Sequence, residues 1–463
     1  MMEIEIRPLA GTTKSGSVYE KGAAPEPVTG LVLLWSGTQP QFRPIPLQLN
    51  QLLPMGREDL GGLPLPDEQV SRAHAQLVHD GRHFQLTDLG SRNGTFLNAN
   101  RISGTVACDA GAIIRMGRTL LLCCADVRAF ASASVTADQG YVVGPTLRVE
   151  LDRIARYATG GANVLITGEN GTGKERAAGA FHRAAAPRGK LVTVNCATLS
   201  ASTAVSAFFG AMGGVYTQVK EHAGFIEEAD GGVLFLDEVG ELPLDVQPML
   251  LRAIENGEVT RIGATTPRQV SVRYVSATNR DIRGFIAQGR FREDLFHRLA
   301  QQEVRIPSLR ERLEEIPQLL HQEMASADRV PDPKLIEEAL LRPWPGNVRE
   351  LINHARGALA NAQENTVVRR EHLNPAAGQQ SAVNRTQPGI RAFSEPLGAS
   401  PAPPTEVAIP AAKRKPGKDE LVKLIQDHGS VAAAARALGE HRNTVNRWRE
   451  EYGLLKKGEA EEA

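Results

Sequence analysis

The residues with the clearest capacity for chemistry are a glycine-rich loop with its lysine and a distant acidic pair. Gly168-Glu169-Asn170-Gly171-Thr172-Gly173-Lys174 follows the apolar run VLIT and opens a segment of helical pattern. Glycines at this spacing let backbone N–H groups wrap a chain of phosphates, and the lysine reaches the β and γ oxygens. A Ser or Thr that binds Mg2+ ordinarily follows such a lysine; here the residue is Glu175. Further along, the apolar run LFL ends in Asp237-Glu238. That aspartate would hold Mg2+, directly or through water, and the glutamate would act on an attacking water. Each half has a bland alternative, a Gly-rich turn or the acidic end of an unrelated strand. Their order and setting favour an ATPase that uses ATP and Mg2+.

Such a site needs a scaffold that brings a loop to a distant strand end. In residues 138–375 the strand-like runs VLITG, LVTVNC, GGVLFLDE and VRYVSATN alternate with helical stretches, the rhythm of a parallel sheet covered by helices. The α/β part is expected over 138–310 and a helical lid over 311–375. Ahead of it, residues 31–125 are short apolar runs (LVLLW, FQLTDL, GTFLN, AIIRMG, TLLLCC) punctuated by Gly, Asn and Asp, which predicts an all-β sandwich. Residues 1–30 and 376–417 have Gly/Pro/Ser/Thr-rich and Ala/Pro/Ser/Gln-rich compositions, expected of a flexible N-terminus and a flexible linker. Residues 418–455 return to a helical pattern. The expected fold is multidomain: an all-β sandwich, an α/β P-loop ATPase with a helical lid, and an α-helical helix-turn-helix.

With 41% hydrophobic and 23% charged residues among 463, the composition is that of an ordinary soluble protein. Basic and acidic residues balance at 53 each, so any nucleic-acid footprint must be local. No apolar run approaches the ~20 residues of a membrane span, and the start lacks the basic-then-apolar order of a secretory signal. Cys108, Cys123, Cys124 and Cys196 show no CxxC pair or metal-ligand spacing. They are expected as buried, reduced thiols of a cytoplasmic protein.

GENGTGKE, VNCATL, ADGGVLFLDEVGELPLDVQPMLLRAIENGE, VRYVSATNRDI, FREDLFHRL, PSLRER and WPGNVREL together resemble the AAA+ module of bacterial enhancer-binding proteins, the ATPases that activate sigma-54 RNA polymerase. In that family a glutamate after the P-loop lysine is normal, which accommodates Glu175. The resemblance implies further roles. Asn279 would sense the γ-phosphate, and Arg349 would reach ATP from the lid. Arg292 and Arg298 match the two arginines of which one or both enter the neighbouring subunit's site, so hydrolysis would depend on assembly of a homo-oligomer, from dimer to hexameric ring. Asn195 would partner the catalytic Glu238. Outside the motif set each of these residues would read as a surface ion-pair residue or a strand-end cap.

Within the β-rich region lie Gly56-Arg57, Ser71-Arg72-Ala73-His74 and Gly90-Ser91-Arg92-Asn93-Gly94-Thr95. Asn-Gly alone is a common hairpin turn; the ordered set resembles a forkhead-associated (FHA) domain, which binds phosphothreonine peptides. The resemblance implies that Arg57 and Ser71 hold the phosphate, helped by Arg72 and Arg92. Asn93 would hold the peptide backbone while His74 braces the loop from within. The partner implied is a phosphothreonine protein or a Ser/Thr kinase.

Residues 420–453 read as a helix, a break at His428-Gly429, an Ala-rich helix, a turn at Leu438-Gly439-Glu440 and a last helix, which is helix-turn-helix spacing. The segment resembles the Fis-type domain that ends enhancer-binding proteins. Between Arg436 and Arg449 four arginines stand against Glu440, a local basic footprint. Arg442, Asn443, Thr444, Asn446 and Arg447 would face DNA at an upstream enhancer or operator, with Val445 and Trp448 on the core face. The alternative is a small helical oligomerisation bundle. The family pattern departs at the loop that touches sigma-54, usually GAFTGA: here it reads Gly214-Val215-Tyr216-Thr217-Gln218-Val219. A glutamine in place of the second glycine strains a turn with positive φ. The loop is either a drifted but working one or one whose sigma-54 contact is lost or altered.

Overall fold

A computed structural model describes residues 26–131, 133–138, 141–186, 188–213, 221–363, 365–379 and 418–428, together with residues 431, 445, 449, 452 and 454. The loop at 214–219 lies outside the described residues, as do Arg442, Asn443, Thr444, Asn446 and Arg447, and most of the expected N-terminal and linker segments. The chain divides into two compact units, 1–387 and 388–463.

The first unit opens with ten short strands: β1 (Gly30–Ser36), β2 (Gln39–Pro46), β3 (Leu53–Met55), β4 (Ala75–His79), β5 (Phe84–Asp88), β6 (Thr95–Leu97), β7 (Asn100–Arg101), β8 (Thr105–Cys108), β9 (Ile113–Met116) and β10 (Thr119–Cys124). They form a six-stranded sheet, β2-β1-β10-β9-β6-β7, and a four-stranded sheet, β3-β4-β5-β8. Leu31, Leu33, Ile114 and Leu121 point between the sheets at Leu77, Phe84 and Leu86. A sandwich strand with one wet face would alternate polar and apolar residues, but every residue of β1 and β10 is buried. The register shift between Leu33 and Trp35 keeps Leu34 and Trp35 in the same outer cluster as Val32.

Helix α1 (Arg128–Ala131) and the hairpin β11 (Thr136–Asp138) and β12 (Tyr141–Val143) lead to α2 (Pro145–Thr159). Next come β13 (Val164–Thr167), α3 (Lys174–Ala185), β14 (Leu191–Asn195), α4 (Ala201–Phe209), α5 (Phe225–Glu228), β15 (Val233–Asp237) and α6 (Gln247–Asn256). A small hairpin, β16 (Glu258–Val259) with β17 (Arg268–Gln269), precedes β18 (Arg273–Thr278), α7 (Ile282–Ala287), α8 (Glu293–Leu299) and β19 (Gln302–Arg305). The large sheet is parallel in the order β14-β15-β18-β13-β19. Helices α2 and α3 cover one face through Ile154, Ala177 and Phe181; α4, α6 and α8 cover the other through Phe208, Leu250 and Leu295. Because the strands are parallel, Thr167, Asn195, Asp237 and Thr278 all end on one edge, where open α/β sheets bind ligands.

The lid consists of α9 (Ile316–Ala325), α10 (Pro333–Leu340) and α11 (Asn347–Asn361). Helix α10 begins cleanly: the Asp332 side chain accepts from Lys334 N–H, and Pro333 occupies the first helical position. In the second unit, α12 (Lys418–His428) contributes buried Leu421 to a small cluster with Val445, one of the two residues expected on the core face; the other, Trp448, lies outside the described residues.

Candidate functional site

At the end of β13 the chain turns tightly into α3, whose first residue is Lys174. Gly171 and Gly173 take φ of 76° and 99°, left-handed values that favour glycine. A side chain at Gly171 would also come within 2.1 Å of the Gly346 carbonyl oxygen, so the loop meets the lid backbone here. Val348 N–H donates to the Gly171 carbonyl at 3.1 Å, and Asn347 Nδ2 donates to the Asn170 carbonyl at 2.9 Å.

Lys174 is enclosed beneath the loop, its Nζ donating to the carbonyls of Gly168 (3.2 Å) and Glu169 (3.3 Å). Burial lowers its pKa from the usual lysine value, against the pull of Glu238 and Asp237. All three side chains line one cavity of about 540 Å3, shared with Asn170 to Arg176, Asn195 and Arg349. That is the size of an ordinary small-molecule site. The lining also includes the apolar side chains of Val142, Leu147, Leu319 and Ile352, which suit the flat face of a nucleotide base.

Asp237 ends β15, and Glu238 holds φ 49° and ψ 47°, a left-handed conformation costly for a residue with a side chain and typical of functional positions. Among the described residues neither carboxylate is in a salt bridge, so both remain available to a cation and a water. Among those residues, too, no group of three or more His, Cys, Asp or Glu could hold a metal. The carboxylate of Asp237 is a hard oxygen donor of the kind that Mg2+ takes together with phosphate and water oxygens.

The remaining expected residues divide. Asn279 follows β18, and its Nδ2 donates to Asn170 Oδ1 of the loop at 2.8 Å. Asn195 pairs with Asp237 in the parallel register, but its side chain accepts from Ala197 N–H at 3.0 Å, capping a short turn. Glu175 lines the cavity from the first turn of α3, and Thr172 Oγ1 donates to the Glu169 carbonyl at 2.8 Å. The Glu169 carboxylate turns to the lid, where Arg310 and Asn347 donate to it; Arg310 holds it below the usual glutamate value. Arg292 and Arg298 stand in exposed ion pairs with Asp294 (2.7 Å) and Glu255 (2.8 Å), and neither lines the cavity of its own chain. Arg312, within the PSLRER run, lines the cavity and was not among the expected site residues; its Nη2 donates to the Thr172 carbonyl at 2.6 Å.

A second constellation sits at one end of the sandwich. Arg57 N–H donates to the Ser71 carbonyl at 3.0 Å, Arg92 N–H to Ser71 Oγ at 3.3 Å, and Asn93 Nδ2 to the Gln69 carbonyl at 2.7 Å. His74 braces the loops: Nδ1 accepts from Ser71 N–H at 3.0 Å, leaving the proton on Nε2 to donate to the Gly94 carbonyl at 3.3 Å. Burial lowers its pKa, which keeps the ring neutral for this double role. Asp88 accepts from Ser91 Oγ and Thr95 Oγ1, both at 2.6 Å. The loops of Arg57, Ser71, Arg92 and Asn93 thus meet, whereas Arg72 is drawn to Glu58 at 3.2 Å on the surface.

A P-loop and an acidic strand end sharing a cavity under a helical lid define the central region as an AAA+ nucleotide-binding module. Residues 143–305 match the sigma-54 interaction domain, residues 310–389 the AAA+ ATPase lid domain and residues 54–117 the FHA domain. The chain is 36% identical over 330 residues to the DNA-binding transcriptional regulator NtrC of Salmonella typhimurium, covering 65% of this chain and 67% of that one. It is 38% identical over 315 residues to the Nif-specific regulatory protein of Azotobacter vinelandii, covering 65% of this chain and 56% of that one. It thus spans little more than half the length of the latter. A crystal structure of NtrX from Brucella abortus is 27% identical, covering 68% of this chain and 69% of that one, with a TM-score of 0.48. The chain belongs to the NtrC family of transcriptional regulators and joins that module to an FHA domain. No helix among the described residues is long and apolar enough to cross a membrane.

Proposed function

We propose that this protein is an ATP-hydrolysing, DNA-binding transcription regulator of the sigma-54 type, controlled by phosphothreonine recognition at its FHA domain. The observation that carries the reading is the meeting of Lys174, Asp237, Glu238 and Arg349 in one cavity between sheet and lid. Lys174 and the loop N–H groups bind the phosphates, and Glu238 orients and deprotonates the attacking water. Mg2+ bound through Asp237 would neutralise developing charge on the transferred phosphoryl group. Arg292 and Arg298, remote from their own cavity, serve the neighbouring subunit of a homo-oligomeric ring. Arg442, Asn443, Thr444, Asn446 and Arg447 contact DNA, and Arg57, Ser71, Arg92 and Asn93 hold the phosphopeptide.

The unusual loop Gly214-Val215-Tyr216-Thr217-Gln218-Val219 favours a second reading, in which the ring switches DNA binding without touching sigma-54. ATP-dependent open-complex formation with purified sigma-54 polymerase on a supercoiled template separates the two. Stimulation by the hydrolysing protein supports the first reading; hydrolysis without stimulation retires it.

A further inference from the structure

The outer face of the six-stranded sheet is covered by the lid. Val32, Trp35, Leu120 and Leu122 share a buried cluster with Leu320, Leu335, Leu340 and Trp344, and Trp35 meets His321 of α9 edge to face at 5.8 Å. One ion pair is set into this apolar seam. Arg115 Nε on β9 donates to Glu337 Oε2 on α10 at 2.6 Å, with the two side chains 7% and 2% exposed. The other oxygen of Glu337 accepts from Ala99 N–H at 3.0 Å, and the Arg115 guanidinium lies 3.8 Å from the centre of the Phe96 ring.

Both ends of this pair lead to a ligand loop. Phe96 and Ala99 continue directly from Arg92-Asn93-Gly94. Asn98 and Ala99 hold φ of 48° and 66°, so the turn clamped by Glu337 is in a strained backbone state. On the lid side, Trp344 Nε1 donates to the Ala339 carbonyl of α10 at 2.7 Å. The Trp344 carbonyl accepts from Asn347 N–H at 2.8 Å, and Asn347 grips the P-loop at Asn170. Packed seams have discrete arrangements and do not deform continuously, so a shift of the turn moves the lid with it.

We propose that Glu337 is a positioning residue that locks the FHA domain and the nucleotide lid into one moving body, so that phosphothreonine peptide and nucleotide bind with linked affinities. The proposal rests on the two binding sites of the proposed function and adds the coupling between them. Linkage of this kind is reciprocal: whatever factor the peptide applies to nucleotide affinity, nucleotide applies to the peptide.

The test uses the full chain, a fluorescent ADP analogue and a degenerate phosphothreonine peptide pool. A saturating pool is expected to change ADP affinity by about fivefold or more, ADP to change pool affinity by the same factor, and the unphosphorylated pool to change neither. In Glu337→Gln, and in Arg115→Met with Glu337→Met, where an apolar pair keeps the seam filled, both ligands still bind and the factor falls to one. A factor of one in the unsubstituted chain with both ligands bound overturns the proposal, as does a factor that survives in both variants. If the pool does not bind at all, the phosphopeptide reading fails, and hydrogen exchange decides the coupling. ADP must then slow exchange at residues 98–101 together with α11, with only the former lost in Glu337→Gln; no response at 98–101 overturns it.

Discussion

Arg312 and Glu315, three residues apart at the start of the lid and both almost fully enclosed, form an ion pair at 2.8 Å. Besides that pair, Arg312 donates to the Thr172 carbonyl, and Glu315 Oε1 accepts from Gly144 N–H at 2.7 Å, at the entry to α2. Burial pushes the Glu315 carboxyl up to about 7, although Arg312 and Gly144 pull it the other way.

A carboxyl whose folded pKa lies above its unfolded value of 4.5 contributes stability fully below that value, and loses it as pH rises through about 7. At ~1.4 kcal/mol per pKa unit the ceiling is about 3 kcal/mol. The urea midpoint should therefore fall across that window, and Glu315→Gln should flatten the decline. A midpoint equally pH-dependent in the variant would assign the slope to other groups.

Lys174→Ala should abolish detectable binding of a fluorescent ATP analogue, because the phosphates lose the cation held beneath their own loop. Glu238→Gln should bind the analogue normally but hydrolyse ATP about 10²–10⁴-fold more slowly, the usual size of a general-base contribution. Phosphate release and fluorescence titration distinguish the two, and equal losses of binding in both variants would contradict the assigned roles.

Arg292→Ala and Arg298→Ala break exposed ion pairs, so each should change stability by no more than about 1 kcal/mol. If either arginine completes a neighbour's site, hydrolysis should fall about 10³-fold or more. Mixing Arg298→Ala subunits with Glu238→Gln subunits should then restore part of the activity, since some interfaces pair an intact glutamate with an intact arginine. No recovery at any mixing ratio would place the arginine's action within its own subunit.

Arg57→Ala and Ser71→Ala should each weaken phosphothreonine-peptide binding about tenfold or more, because each removes a charge-assisted contact worth roughly 1.5–3 kcal/mol. Asn93→Ala should weaken phosphorylated and unphosphorylated peptides alike. Calorimetric titration checks both, and full affinity in Arg57→Ala would move the phosphate site elsewhere.

Arg442→Ala with Arg447→Ala should weaken DNA binding and reduce the slope of log affinity against log salt by about two, one for each lost phosphate contact. Mobility shifts across a salt series measure this, and an unchanged slope would contradict DNA contact by these arginines.

Much of the nucleotide site was legible because its chemistry is encoded locally. The glycines of the loop, Lys174 and the apolar strand ending in Asp237-Glu238 each announce themselves within a few residues. Parallel strand order then carries their ends to one edge. Less legible was where side chains turn once surfaces meet. Glu169 lies in the loop but gives its carboxylate to Arg310 and Asn347 of the lid. Arg312 of the PSLRER run lines the cavity and reaches the Thr172 carbonyl, a contact that no local pattern announces. The uninterrupted runs LVLLW and TLLLCC carried a signal that a sandwich with one wet face does not explain: strands that read apolar throughout are buried on both sides.

By itself, then, the sequence determined the loop, its lysine, the acidic pair and the succession of β-sandwich, α/β sheet and helical lid, because periodicity and turn chemistry act over short stretches of chain. Only the tertiary structure decided that the second face of β1 and β10 belongs to the lid. It also decided that Arg115 finds Glu337, 222 residues away, at 2.6 Å. Such a pairing depends on which buried surfaces meet, and no local pattern around either residue specifies its partner.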